Sequence, residues 1–573
     1  MNWFKKIFGV FTRGERVLFV IAFTGAVASF IVVMSIVFVS VTRAVPAAGG
    51  DFTEGMIGQP EYVNPVIATS ETDLGLVKMV YSNLEGIADN VSVSSDTRVW
   101  TVHLKDGLTW HDGQKLTSDD IVFTVQSIQD PDAQSPLYPS WQGVAASRVS
   151  ELEVQFNLVN PYANFGDTLK NLYILPKHLF ADAPPGNWHL SEYNLKPIGS
   201  GPYKFDSYDK APNGFITSYN LAAWNGNGDN PLIQNFNFQF FNDENSLVAA
   251  FNSGQIDAFG NASPEAVSEI NRPYDTFSWR TSSYYAVFFN QSKNLALQDP
   301  AVRMALADSL DRQDIVNQVW GAHAVPAFGP IPPDAPYAIN IVTTSSLDFA
   351  STTLTNAGWV MQPAPDATDA SSTNTGSASA SSSVTETPVP PGFRYKLVNH
   401  SVIPLAINLT VPEIDFLAKT ATVIQNTWES LGVQVNLMPA SADVIVNQDI
   451  KNRDYEALIF GNVLGPSSDL YAFWDSSERF YPGLNLSIYS NPKVDKAIED
   501  ARENASTTAI TNDYNLAENQ IVNDNPAIFL YSPDYTYVTD KDVQGVAPQL
   551  LSDPSDRFLE VPTWYLNTAR VLK

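Results

Sequence analysis

The residues with the greatest capacity for chemistry in this sequence are six histidines. No two of them have the spacing of a metal site, and the sequence contains no zinc-protease, phosphate-loop or serine-hydrolase motif. His111 stands beside Asp112, a pair that could move protons in an acid–base reaction. The same pair is better suited to closing a turn and capping neighbouring backbone, and we favour that structural interpretation. The histidines are His103, His111, His178, His189, His323 and His400.

Two further patterns could serve catalysis or phosphate binding. The acidic pairs Asp119-Asp120 and Glu499-Asp500 are of the type that glycoside hydrolases use, but each falls at a predicted helix start or on a solvated face. The turn Gly199-Ser200-Gly201 could cradle a phosphate, yet it lacks the following helix and lysine of a phosphate loop. We therefore predict a protein that is not an enzyme and that uses no cofactor or metal ion.

The elements that position His111 and Asp112 are encoded in the segment Trp100–Val125. Its pattern predicts a strand, a tight turn at Asp106-Gly107, a second short strand and another turn at Asp112-Gly113. A helix follows, for which Thr117 and Asp120 form a capping box.

Composition limits the class of protein. A chain of 573 residues is too long for one hydrophobic core, so two or more large lobes are expected. Its 44% hydrophobic and 16% charged residues describe a globular protein. A net charge of −28 argues against nucleic acid or an anionic membrane surface as a partner of the soluble part. The absence of cysteine excludes disulfides, thiol catalysis and a lipid-anchored cysteine.

The N-terminal sequence predicts a membrane anchor. Residues 17–41 carry no charge, and as a helix they would be about 37 Å long, enough to cross a hydrocarbon core of about 30 Å. The basic residues before them place residues 1–16 in the cytoplasm and the rest of the chain outside the cell membrane, with residues 42–50 as a spacer. The alternative is a signal peptide cleaved near Val45-Pro46-Ala47. The apolar stretch is longer than an ordinary signal peptide's, so we favour retention.

The segment Trp100–Val125 resembles the signature of the family 5 extracellular solute-binding proteins. These are the peptide-, nickel- and oligosaccharide-capturing subunits of bacterial ABC importers. Further matches follow in the family's order: Gly58-Gln59-Pro60 with Asn64-Pro65, Val80–Leu84, Pro197–Tyr203, Ser253–Asp257, Val302–Ala307 with Leu310–Arg312, and Tyr489–Asp495.

The resemblance implies an α/β, two-lobed fold of the type II periplasmic-binding-protein class, with a hinged cleft, preceded by one transmembrane helix. We expect lobe I over residues 51–286, lobe II over 287–529 and a return to lobe I over 530–573. Residues 361–390 are almost all Ser, Thr, Ala and Pro, which predicts a disordered insertion into lobe II.

The resemblance also implies the function. We expect a monomeric receptor that captures di- to oligopeptides by closing its lobes and hands them to ABC permease subunits in the membrane. An oligosaccharide or metal-chelate receptor is the alternative. Aromatic residues make up 12% of the chain, which suits a sugar as well as a peptide because sugar rings stack on aromatic faces. An enzyme or sensor of this fold is less favoured.

The residues expected in the cleft come from the segments that face it in the family. In peptide-binding relatives the strand that corresponds to residues 460–464 pairs with the ligand's main chain, and a nearby aspartate takes its α-ammonium group. Asp469 matches a later position of that motif, and the earlier position is Gly or Pro here. The predicted ligand-binding residues are Gln59, Pro60, Glu61, Tyr62, Tyr284, Tyr285, Phe460, Gly461, Asn462, Val463, Leu464, Asp469, Trp474 and Asn485.

Overall fold

The computed structural model describes residues 12–228, 230–321, 323–339, 344–363, 389–465, 467–504, 506–547 and 549–572. The centre of the predicted insertion, residues 364–388, and residues 1–11 of the predicted cytoplasmic segment lie outside this described part.

The N-terminal helix, Arg13–Val41, is 29 residues long and has no buried residue. It is long and apolar enough to cross a membrane. Thr12 and Glu15 form a capping box at its start. The other α-helices are Glu71–Val80, Leu84–Ile87, Ser118–Gln129, Tyr138–Trp141, Phe165–Lys170, Lys177–Phe180, Glu244–Ser253, Pro264–Ser268, Pro300–Asp308, Arg312–Val319, Leu347–Asn356, Asp415–Ser430, Ala442–Val444, Tyr471–Trp474, Pro492–Glu503 and Thr507–Asp524.

The strands are short except for one that runs through the middle of the molecule. They are β1 (Thr42–Ala47), β2 (Asp51–Ile57), β3 (Ala88–Val93), β4 (Val99–Leu104), β5 (Ala145–Ser150), β6 (Glu153–Asn157), β7 (Tyr203–Lys210), β8 (Ile216–Ala223), β9 (Asn235–Phe241), β10 (Ala258–Phe259), β11 (Tyr274–Thr281), β12 (Ser283–Phe289), β13 (Ala324–Pro326), β14 (Val360–Met361), β15 (Arg394–Val398), β16 (Ser401–Pro404), β17 (Ala406–Pro412), β18 (Gln434–Ala440), β19 (Ala457–Val463), β20 (Ala527–Asp540), β21 (Leu550–Leu551) and β22 (Asn567–Leu572).

One sheet of 13 strands connects the two halves of the molecule. Its path is β18-β17-β19-β12-β20-β10-β2-β9-β8-β7, with β11, β13 and β21 attached beside it. The long strand β20 belongs to both halves, because its first residues pair with β12 and its last residues pair with β11. Two smaller sheets, β3-β4-β6-β5 and β14-β15-β16, complete the two halves.

The buried side chains fall into separate cores on either side of two crossing points. Tyr535 and Trp279 belong to a core built from the first half of the chain, whereas Tyr284, Ala286 and Tyr531 belong to cores of the second half. The chain therefore crosses at Ser282, between β11 and β12, and again within β20 between residues 531 and 535. The first crossing comes earlier than the expected boundary at residue 286, because all of β12 packs in the second half. Below, the first lobe is residues 51–281 with 534–566, and the second lobe is residues 283–531.

The local prediction for the segment Trp100–Val125 is largely confirmed. Thr117 caps the helix Ser118–Gln129 in a capping box with Asp120, and Gly107 and Gly113 adopt positive φ angles in the two turns. The predicted second short strand is not formed in full. The structure has only a single β-bridge there, between Thr109 and Lys115.

His111 has the structural role that the sequence favoured. Its Nε2 lies 3.1 Å from the carbonyl of Gly201, and its Nδ1 lies 3.3 Å from the amide nitrogen of Gly199. Burial lowers the pKa of His111 to about 4. The glycines are needed because a Cβ on Gly199 would meet the carbonyl oxygen of Val80 at 1.9 Å. The Gly199–Gly201 turn is therefore a close backbone contact and not a phosphate cradle.

The predicted spacer after the N-terminal apolar helix is not a free linker. Residues 42–47 form β1, which pairs antiparallel with the C-terminal strand β22 from Thr42↔Leu572 to Ala47↔Asn567. Only Ala48, Gly49 and Gly50 separate β1 from β2, the first strand of the main sheet.

A buried carboxyl in the second lobe makes stability depend on pH. Glu518 is 1% exposed and accepts long hydrogen bonds from the amides of Ile331 and Ile339, both at 3.3 Å. Burial raises its pKa from its ordinary 4.5 to about 8. Between its ordinary pKa of 4.5 and about pH 8, Glu518 therefore keeps its proton in the folded state but has lost it in the unfolded state. Stability is lost as the pH rises from about 5 to about 8, at up to about 1.4 kcal/mol for each unit.

We expect Glu518→Gln to flatten this dependence, because the amide cannot ionise. The measurement is the unfolding temperature between pH 5 and pH 8, with the exposed Glu429→Gln as the matched control that keeps the wild-type slope. A Glu518→Gln slope equal to that of the wild type would contradict the assignment.

Candidate functional site

The clearest binding feature in the second lobe is an open edge of strand β19. One side of β19 pairs with β12 along its whole length, from Ala457↔Phe289 to Val463↔Ser283. The other side pairs with β17 only at Ala457 and Leu458. In the described part of the chain, the remainder of this side, up to Val463, has no strand partner.

The register determines which main-chain groups point to the open edge. The amide of Leu464 donates to the carbonyl of Ser282 at 2.9 Å, so the even-numbered residues of this stretch form the hydrogen-bonded pairs with β12. The N–H and C=O groups of Gly461 and Val463 therefore point away from β12, toward the open edge. Val463 is 55% exposed, although it lies in a regular strand. An extended chain could add to β19 here through main-chain hydrogen bonds.

A cluster of aromatic side chains lies beside this edge. The ring of Tyr285 covers Gly461 so closely that a Cβ there would meet it at 2.9 Å. The ring of Phe416 lies 5.2 Å from that of Tyr285 and 4.8 Å from that of Trp320. The buried ring of Tyr531 closes the cluster, 5.7 Å from Tyr285. We call these four residues the aromatic cluster. Phe416, Trp320 and Tyr531 were missed from the sequence, because they come from three separate elements.

Four of the predicted cleft side chains lie in the core of the second lobe, and their role as ligand contacts stays a prediction. Tyr284 and Trp474 are fully buried, and the hydroxyl of Tyr284 accepts from the indole of Trp474 at 3.2 Å. The amide of Asn462 donates to the same hydroxyl at 2.8 Å. Asn485 is also fully buried, and its side-chain amide donates to the carbonyls of Asp475 and Tyr489.

Two further predicted residues, Leu464 and Phe460, adjoin the open edge but do not present their main-chain groups to it. Leu464 is buried and bonded to Ser282, so it ends the edge without facing it. Phe460 is half-buried, and its position in the register directs its main-chain groups to β12. Gly461, Val463 and Tyr285 are thus the predicted residues that the structure brings together at the edge.

The loop after β19 contacts the first lobe. Asp469 Oδ2 accepts from the hydroxyl of Tyr162 at 3.2 Å and lies 3.2 Å from Nε of Arg502. The guanidinium of Arg502 stacks between the rings of Tyr162 and Tyr471, at 4.6 and 4.3 Å. The amide of Ala163 donates to the carbonyl of Arg502 at 2.7 Å. The lobes therefore touch away from the two crossing points.

Both carboxylate oxygens of Asp469 have protein partners, since its Oδ1 accepts from the amide of Tyr471 at 3.0 Å. In this conformation the carboxylate of Asp469 is engaged by groups of the protein itself, and its role as a ligand contact stays a prediction. Tyr162 and Arg502 are 340 residues apart in the sequence, and no local pattern links them.

The predicted first-lobe segment, residues 59–62, is held in place by its own lobe. Gln59 accepts from the amide of Ile216 at 2.8 Å through its side-chain oxygen. The carboxylate of Asp73 accepts from the amides of Glu61 and Tyr62, both at 2.9 Å. Pro60 is buried, whereas the side chain of Glu61 is exposed.

Two surface cavities in the second lobe do not include the open edge. One of about 480 Å³ is lined by Arg303, Tyr489 and Asp524, among others. The other, of about 470 Å³, lies around Asp311 and Ser346. Both are open and polar, and neither contains a residue of β19 or of the aromatic cluster.

Comparison with known proteins gives a consistent result in sequence and in structure. The model of the bacterial extracellular solute-binding proteins, family 5 Middle, matches residues 63–480. The oligopeptide-binding protein AppA of Bacillus subtilis is 25% identical over 543 residues, covering 91% of this chain and 92% of AppA.

Solved structures share the fold. The substrate-binding protein CtaP of Listeria monocytogenes has a TM-score of 0.73 at 23% identity, covering 91% of this chain and 99% of CtaP. AppA of Bacillus subtilis, in complex with a nonapeptide, has a TM-score of 0.67 at 24% identity, covering 91% and 100%. NikZ of Campylobacter jejuni, in complex with Ni(L-His), has a TM-score of 0.67 at 20% identity, covering 90% and 99%.

Proposed function

Because this chain belongs to the bacterial extracellular solute-binding proteins of family 5, we propose that it is the substrate-binding receptor of an ABC importer that captures peptides. Its ligands are di- to oligopeptides, bound in extended form between the two lobes and passed to permease subunits in the membrane. The family consists of substrate-binding receptors, and we assign no reaction to this chain.

The observation that carries the peptide assignment is the open edge of β19. Gly461 and Val463 present main-chain donors and acceptors that no neighbouring strand uses. A peptide that adds to this edge is held by its backbone, so binding does not require specific recognition of each ligand side chain. A nutrient receptor that accepts many sequences needs this mode of binding.

The aromatic cluster forms one wall of the proposed site. Tyr285 lies over Gly461, so a ligand strand at the open edge runs beside an aromatic surface. Such a surface favours apolar and aromatic ligand side chains without hydrogen-bond requirements.

The alternative ligands receive less support from this geometry. Sugar rings would stack on exposed aromatic faces, and two of the aromatic residues predicted to line the cleft, Tyr284 and Trp474, are buried. NikZ is described in complex with a nickel chelate. Among the described residues of this chain, no group of three potential metal-ligating side chains is brought together.

We also propose that the helix Arg13–Val41 is retained as a single-pass anchor, with both lobes on the extracytoplasmic side. Its apolar stretch is longer than the apolar region of an ordinary signal peptide. The basic residues before it favour a cytoplasmic N-terminus.

Native mass spectrometry of the full-length protein, extracted from its own membranes in mild detergent, tests the ligand class. We expect adducts that dissociate into a mixture of short peptides. Adducts that fragment only as glycans or as a metal chelate would contradict the peptide assignment. The protein stripped of adducts by partial unfolding and refolding should regain peptide adducts from a peptide digest and not from an oligosaccharide mixture.

A further inference from the structure

The C-terminal strand lies at the end of the transmembrane helix. Val41 is the last helical residue and Thr42 is the first residue of β1, so no linker separates them. Strand β22 pairs with β1 over six residues, and Leu572 is opposite Thr42. Leu572 is therefore adjacent to the last turn of the helix. We call β1 and β22 together the ribbon.

Arg570 connects the ribbon to the helix. Its Nε donates to the hydroxyl of Thr42 at 2.9 Å, and its Nη2 donates to the carbonyls of Val39 and Thr42 at 3.3 Å. Its guanidinium also lies 5.7 Å from the ring centre of Phe38. The last turn of a helix has carbonyls without intrahelical partners and a partial negative charge, and this helix has no basic residue there. Arg570 supplies the missing cation.

The position of the ribbon follows from the helix length. Residues 17–41 would span about 37 Å as a helix, more than the roughly 30 Å of a hydrocarbon core. With the helix in the bilayer, its last turn reaches the outer interface and the ribbon begins there. Leu572 is 78% exposed and Val571 is 40% exposed. Arg43 and Arg570 stand beside these apolar side chains on the same short ribbon.

We propose that the ribbon is a second membrane contact, in which Val571 and Leu572 enter the outer interface of the bilayer and Arg570 caps the anchor helix. Arg43 and Arg570 then meet lipid phosphates, since arginine pairs with phosphate groups and its long side chain reaches the headgroup level. This inference rests on the proposed retention of the helix.

The consequence concerns the movement of the lobes. Both the entry into the first lobe, through residues 48–50, and its exit, through residues 565–566, are joined to the ribbon. The second lobe is reached only through the crossings near Ser282 and Pro533. The first lobe is therefore held at the membrane by both chain ends, and the second lobe is the one that moves when the cleft closes.

The absence of cysteine allows a direct test in the full-length protein. Leu572→Cys carries a nitroxide label in vesicles of phosphatidylcholine and phosphatidylglycerol, and Ser95→Cys, in an exposed turn of the first lobe, is the control. Collisions with oxygen and with a water-soluble nickel chelate are measured by electron paramagnetic resonance. We expect the label at 572 to be reached by oxygen and shielded from nickel, with the opposite pattern at 95. Equal nickel access at both positions would overturn the proposal.

A second variant and a mass measurement separate the possible failures. Arg570→Gln in the Leu572→Cys protein should raise nickel access toward that of the control, because the strand loses its connection to the helix. Unchanged access would overturn the capping role. Intact mass of the same sample shows whether residues 1–47 are present. Cleavage near Ala48 would overturn both the anchor and the ribbon, whereas retention with an exposed label would overturn the ribbon alone.

Discussion

Replacing Arg557 with methionine is expected to lower the free energy of unfolding by about 3–5 kcal/mol, because it leaves a buried carboxylate without its partner. Arg557 is 1% exposed and lies 3.1 Å from Glu54, which is fully buried, and 2.7 Å from Glu71. The hydroxyl of Tyr537 also donates to Glu54, at 2.7 Å. These residues join β2, the following helix, β20 and the C-terminal segment of the first lobe.

The decrease in the free energy of unfolding caused by Arg557→Met should depend on pH. Burial raises the pKa of Glu54, and Arg557 beside it opposes that rise. Without Arg557 the carboxyl is more readily protonated, and the neutral form no longer needs a cation. The destabilisation should therefore be smaller at acidic pH than at neutral pH.

Denaturant unfolding followed by tryptophan fluorescence measures this effect. Lys115→Met is the matched control, because Lys115 pairs with Glu151 on the surface, with 76% and 53% of the two side chains exposed. Exposed pairs contribute about 0–1 kcal/mol, so the control should unfold close to the wild type. An Arg557→Met midpoint as close to the wild type as that of the control would show that the buried pair does not hold the first lobe together.

Val463→Pro is expected to weaken the binding of a synthetic nonapeptide pool by about tenfold or more, since each main-chain hydrogen bond contributes roughly 0.5–1.5 kcal/mol and the proline ring also obstructs the approaching strand. The amide of Val463 points to the open edge and not to β12. Proline therefore removes a donor that the folded protein does not use, and the variant should still fold.

The matched variant is Val463→Ala, which keeps the amide and loses only side-chain packing. Val463 is largely exposed, so alanine should change the affinity by much less than proline. Calorimetric titration of both variants, after circular dichroism shows both to be folded, gives the comparison. Equal affinities would place the ligand away from the open edge.

Features encoded within a short segment could be predicted from the sequence. The capping box of Thr117 and Asp120 and the turns at Gly107 and Gly113 depend on neighbouring residues, and the structure has them. The position of the open edge was also predicted, because residues 460–464 follow an apolar strand and match the family. The sequence did not specify its partners, since β12 lies some 170 residues earlier in the chain.

Adjacent aromatic residues show where the sequence is ambiguous. Tyr284 and Tyr285 are consecutive in a strand, so their side chains point to opposite faces. Alternation predicts that the two differ in environment, but the pattern alone does not say which is buried. The structure places Tyr284 in the core with Trp474 and leaves Tyr285 beside Gly461.

Contacts between segments that are distant in the sequence could not be predicted, because no local sequence pattern indicates them. Tyr162 meets Asp469 and Arg502 only because the two lobes touch. The sequence predicts only a spacer after the N-terminal apolar helix, because a six-residue strand with a proline has little pattern of its own. Its partner, β22, stands at the other end of the chain.

Amide hydrogen exchange at the open edge tests the central claim most directly. On addition of the nonapeptide pool, the amides of Gly461 and Val463 should exchange more slowly, because the ligand's carbonyls accept from them. The amide of Leu464 should change little, since it already donates to Ser282. This alternation along β19 is the result that strand addition predicts. Peptide binding with unchanged exchange at Gly461 and Val463 would contradict it.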